Sequence, residues 1–128
     1  MPLTFGKEYK LCSKRIIDAV FDQGEQVKAY PYIARYLITG LPEPVAFQVV
    51  FSAPKRTFRK AHERNRIKRL ARETFRLNKS ELEMYLKNQN KQLALFLVYT
   101  APKEVSFAEN QKAMSKLQKK IIDTIDAL

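Results

Sequence analysis

The sequence predicts an α+β fold, a small mixed β-sheet packed with helices as a two-layer sandwich in the order α-β-β-α-β-α. Three observations predict it: an amphipathic stretch after Ser13, two β-rich stretches separated by Gly40, Pro42 and Pro44, and a near-continuous apolar run over 92–100 set between two helix-period segments.

Each element has its own signal. Ser13 is a good N-cap, and Ile16, Ile17, Val20 and Phe21 recur at helical spacing, so a first helix is predicted to about Gln23 with Gly24 as its stop. A short extra strand is expected over 26–29. Tyr32-Ile33-Ala34-Arg35-Tyr36-Leu37-Ile38 is aromatic and β-branched, and reads as a strand. Residues 45–52 read as a second strand, expected to pair with it as a hairpin. Residues 60–77 have a helical period, and the polar stretch 79–90 carries Leu82, Tyr85 and Leu86 at helical spacing, which predicts a short further helix. The run 92–100 suits a central strand covered on both faces, and Pro102 ends it. Ser106 and Glu109 make a capping box that opens a last helix, with Ala113, Met114, Leu117, Ile121 and Ile125 as its apolar stripe.

The chain has 128 residues, enough for one core, and carries no repeat, linker or low-complexity tract, so 1–128 is expected to form a single domain. Its 24 lysines and arginines outnumber 13 acidic residues, giving +11 at pH 7. Most of that excess is local. Lys55, Arg56, Arg59, Lys60, Arg64, Arg66, Lys68, Arg69, Arg72 and Arg76 face only Glu63 and Glu73, a local +8. Such a field points to a polyanion: nucleic acid first, an anionic membrane surface second. The start, Met1-Pro2-Leu3-Thr4, lacks an apolar signal core, and the longest apolar run falls far short of the ~20 residues that cross a bilayer. With one cysteine, Cys12, no internal disulfide can form. A soluble, cytoplasmic protein is expected.

The segment after Lys60 carries the sharpest signal. At about 100° per residue, Lys68, Arg69, Arg72 and Arg76 fall within about 60° of Asn65, while Ile67, Leu70, Ala71, Thr74 and Leu77 gather opposite. One side is built for a core and the other is almost wholly cationic. A charged helix face is usually just solvated. This one has a single sign, repels itself at i,i+4, and is rich in arginine, which suits bidentate phosphate contacts.

Arg64-Asn65-Arg66-Ile67-Lys68-Arg69-Leu70-Ala71-Arg72-Glu73-Thr74-Phe75-Arg76 resembles the RNR motif of the bacterial ribonuclease P protein subunit. The resemblance implies a ribosomal-protein-like fold with a left-handed βαβ crossover. It implies a role beside a catalytic RNA that removes the 5′ leader of precursor tRNA, with the chemistry and the Mg²⁺ in the RNA, and one polypeptide per RNA. It implies that Arg64, Asn65, Arg66, Lys68, Arg69, Arg72 and Arg76 dock on that RNA, with Lys55, Arg56, Arg59 and Lys60 as flanking contacts. It also implies a leader-binding cleft between the first helix and the sheet, for which Phe21, Tyr32, Tyr36 and Gln48 are the candidates. Aromatic side chains stack on unpaired bases for ~1–3 kcal/mol each. The chain departs from the family pattern at 53–60, which is longer and lacks a glycine, and at Ile17, where an aromatic is common.

Other chemistry has weak support. One histidine, His62, and Cys12, distant in sequence, make a poor metal or nucleophilic pair. Glu81/Glu83 and Asp123/Asp126 read as solvated helix surface. A structural ribosomal or assembly protein is the alternative function. A DNA-binding protein is a third, disfavoured because no helix-turn-helix pair precedes Lys60.

Overall fold

The computed structural model describes residues 6–127. After a 3-10 turn at Lys7–Tyr9, the order is α1 (Lys14–Gln23), β1 (Glu25–Ala29), β2 (Tyr32–Ile38), β3 (Phe47–Ser52), α2 (Ala61–Asn88), β4 (Leu93–Tyr99) and α3 (Phe107–Asp126). The weakly signalled strand near residue 26 is thus present as β1.

The sheet runs β1-β2-β4-β3. β1 and β2 are antiparallel, as are β2 and β4, whereas β3 lies parallel to β4. The expected hairpin between β2 and β3 is therefore corrected: β4 lies between them. The Gly40–Pro44 stretch is no tight hairpin turn, and the most apolar strand takes the central place, where both of its faces are covered. Parallel β3 and β4 are joined through α2, which makes the βαβ unit that the resemblance implies.

Alternation sorts the side chains to two faces. Tyr32, Ala34, Tyr36, Phe47, Val49, Leu93, Leu95, Leu97 and Tyr99 pack under α2 and α3 with Ile67, Phe75, Leu82, Met114, Leu117 and Ile121. On the other face α1 sets Ile16 and Val20 against Ala94, with Leu37, Val50 and Phe96 beside them.

The helix ends follow local chemistry. Ser13 Oγ accepts from the Ile16 amide at 3.3 Å, and Ser106 Oγ from the Glu109 amide at 3.2 Å. Gly24 closes α1 without a left-handed turn, at φ −75°. It is needed for room, because a Cβ there would meet the Val20 carbonyl oxygen at 2.3 Å and the Tyr36 carbonyl oxygen at 2.7 Å. The two helices expected over 60–90 are one. α2 passes without a break through Lys79, whose side chain is buried with Glu83, and closes at Asn90, in the left-handed region at φ 53°.

Candidate nucleic-acid interface

α2 keeps one side in the core and turns the other outward. Ile67, Ala71, Thr74 and Phe75 are buried, while Asn65, Arg66, Arg69 and Arg72 are exposed and Lys68 and Arg76 half-buried. The cationic side chains do different jobs. Lys68, Arg69 and Arg72 make no hydrogen bond or ion pair among the described residues. Arg66 pairs with Glu104, whose hydrogen bond raises the guanidinium pKa further, and Arg76 pairs with Glu73, which it holds below the usual carboxylate range. Both pairs lie at the surface, where such contacts are weak.

Arg64 faces back along the chain. Its Nη1 donates to the carbonyl oxygens of Phe58 at 2.7 Å and Arg59 at 2.9 Å. The Phe58 ring is buried against Tyr99, 5.8 Å between centroids, and the Phe58 amide donates to the Pro54 carbonyl. The 53–60 connection is thus pinned, with Lys55, Arg56, Arg59 and Lys60 on its exposed side.

The face beside α1 corrects the leader-cleft candidates. Tyr32 and Tyr36 are 2% and 3% exposed and lie on the α3 side of the sheet. Tyr32 donates its hydroxyl to Asn110 Oδ1, and burial pushes both phenols up. Neither ring can stack on a base. Gln48 lies on the α1 face but is buried. Its Nε2 donates to the Glu8 carbonyl at 2.9 Å, and its Oε1 has no partner among the described residues.

Phe21 alone of the four is open, at 45% exposed. Its ring stands edge-on to Phe96, 4.8 Å between centroids, and the Arg35 guanidinium lies 5.6 Å from the Phe21 centroid. Arg35 Nη2 donates to the Phe21 carbonyl at 2.9 Å and Nη1 to Gln26 Oε1 at 3.1 Å. Arg35 and Phe96 were missed by the sequence reading, although a signal existed. Arg35 is the one charged residue of its strand, so it marks the parity that faces away from the main core.

Glu83 is also corrected. It is no solvated carboxylate: it is 3% exposed, accepts from Lys79 Nζ at 2.9 Å and accepts from the Tyr9 hydroxyl at 2.7 Å. Burial pushes its carboxyl up, but the bonds from Lys79 and Tyr9 and the charges of Lys79 and Lys87 outweigh that and hold it below its ordinary value. The Tyr9 phenol is pushed up to about 12 by burial and by its bond to Glu83. Glu81, Asp123 and Asp126 are exposed as expected. Among the described residues no three His, Cys, Asp or Glu side chains come together as a metal donor set. Nor is any described helix long and apolar enough to cross a membrane.

An α+β sheet whose long helix turns out a cationic face, with Lys68, Arg69 and Arg72 unpaired among the described residues, and an aromatic–arginine cluster on the sheet's other side define a nucleic-acid-binding protein. Comparison with known proteins makes the class specific. Residues 5–122 match the family model Ribonuclease P. A ribonuclease P protein component of Porphyromonas gingivalis is 31% identical over 117 residues, spanning 90% of this chain and 85% of that one. One from Photorhabdus laumondii is 40% identical over 81 residues, 62% and 65% of the two chains. The Staphylococcus aureus RNase P protein structure superposes with a TM-score of 0.69 at 19% identity, covering 90% of this chain and 96% of that one. The Thermotoga maritima protein gives 0.65 at 18%, covering 87% and 96%. The chain belongs to the ribonuclease P protein component family, and membership carries partnership with the ribonuclease P RNA and a part in tRNA processing.

Proposed function

We propose that this chain binds a catalytic RNA through the outer face of α2 and holds the 5′ leader of precursor tRNA against the sheet beside α1, assisting endonucleolytic removal of the leader. The observation that carries this reading is the set Lys68, Arg69 and Arg72, unpaired among the described residues on a rigid helix whose opposite side is core. Holding like charges together is unfavourable until a polyanion neutralises them. Asn65 and Arg66 extend the same face, and the pinned 53–60 connection adds Lys55, Arg56, Arg59 and Lys60. Phe21 offers a stacking surface backed by Phe96, and Arg35 both fixes Phe21 and supplies a cation for a leader phosphate.

In this reading the polypeptide binds and orients, and the RNA cleaves. The metal and the activated water belong to the RNA in this reading, with one polypeptide per RNA in the cytoplasm. Reconstitution with ribonuclease P RNA tests it. Leader removal from precursor tRNA at low Mg²⁺ is expected to rise on adding the protein. No gain in cleavage or in precursor affinity would refute the reading.

A further inference from the structure

The cationic surface does not stop at α2. The segment before α1 lies along the open edge of β3, where the Leu11 amide donates to the Val49 carbonyl at 3.1 Å and Lys10 forms a parallel bridge with Val49. One residue earlier, Tyr9 is fastened to α2. Its hydroxyl donates to Glu83, its ring lies 5.2 Å from Phe47, and Lys79 Nζ stands 5.1 Å from its centroid. The buried pair of Lys79 and Glu83 thus has a third member on a different element. Two independent ties hold the segment in place.

Those ties set Lys7 and Lys10 beside α2. Between the segment and the helix lies a hollow of about 330 Å³ lined by Gly6, Lys7, Lys10, Val49, Phe51 and Arg72. Among the described residues, three cations and no carboxylate line it. Glu8, the acidic residue of the turn, is exposed and outside the lining, with its carboxylate beside Gly6. Lys7, Lys10 and Arg72 have no side-chain partner among the described residues.

We propose that this hollow receives a phosphodiester of the partner RNA, which makes the N-terminal segment a second RNA contact and Tyr9 its positioning residue. This rests on the docking of α2 on RNA. A contacted phosphate contributes about 0.7–0.9 to the slope of log affinity against log salt, so the contact can be counted.

The test is RNA binding by the full chain over a salt series, with Arg69→Gln as the control for α2. The double variant Lys7→Gln/Lys10→Gln is expected to weaken binding about tenfold and to flatten the slope by about one. Tyr9→Phe, which keeps every charge, is expected to flatten the slope in the same direction, and to add nothing further on the double-variant background. An unchanged slope and affinity in the double variant, while Arg69→Gln still weakens binding, overturns the proposal and leaves α2 docking intact. No effect from Arg69→Gln either overturns both. If inorganic phosphate saturates the hollow, seen as shifts of the Lys7 and Lys10 amides, while the double variant leaves RNA binding unchanged, the occupant is a free anion and the RNA contact is refuted.

Discussion

Lys79 and Glu83 stand one turn apart on α2 and share an ion pair of 2.9 Å whose members are 1% and 3% exposed. Each charge is tolerable there only because the other is present. Removing one partner by Lys79→Ala or Glu83→Ala is expected to cost about 3–5 kcal/mol of stability. Replacing the whole cluster, with Lys79→Met, Glu83→Leu and Tyr9→Phe together, is expected to restore most of that loss. Denaturant unfolding of the single and combined variants measures the difference. Equal losses in both would show that the pair acts independently of its burial.

The same carboxylate gives a pH dependence of known sign. Glu83 is held below its ordinary value in the fold, whereas in the unfolded chain it titrates near ~4.3. Its contribution is therefore complete above about pH 5 and fades as pH falls through and below about 4. The stability gap between the natural chain and Glu83→Gln is expected to narrow on acidification across that window. A gap that stays constant to pH 3 contradicts the assignment.

Two arginines five residues apart on α2 should behave differently. Arg69 is exposed and unpaired among the described residues, so Arg69→Ala is expected to weaken RNA binding about tenfold with the melting temperature unchanged. Arg64 also anchors the Phe58 and Arg59 carbonyls, so Arg64→Ala is expected to lower both RNA affinity and stability, the latter by ~1–2 kcal/mol. Thermal unfolding alongside RNA titration separates the two.

Phe21→Ala is expected to reduce the preference for precursor over mature tRNA by roughly 5- to 150-fold, the range for one lost stacking contact of ~1–3 kcal/mol. Arg35→Gln should lose part of the same preference, because it frees the Phe21 ring and removes a cation. Equal losses on both tRNAs would remove the leader-cleft reading.

Tyr32→Phe checks the correction on the sheet. It leaves Asn110 Oδ1 without its donor in a buried place, at a cost of about 1–2 kcal/mol in stability, and should leave RNA and precursor binding untouched. A loss of leader preference with stability unchanged would reinstate Tyr32 in the cleft.

The sequence by itself determined where the first and last helices start and the cationic helix face. Ser13, Ser106 with Glu109, and the two-sided pattern of 64–77 act over a few residues, and short-range hydrogen bonding and periodicity settle them before any partner is present. Only the tertiary structure decided what lies across from what. Whether Tyr32 or Arg35 faces the main core depends on which side of the sheet α3 covers, and the strand pattern admits both answers until β4 enters between β2 and β3. Lys79 and Glu83 look like solvent residues in a polar stretch because nothing local reveals that Tyr9, more than seventy residues away, will close over them. The hollow beside Arg72 has the same origin. It exists because a distant segment is tied to a strand edge and a helix at once, and a sequence displays no such edge.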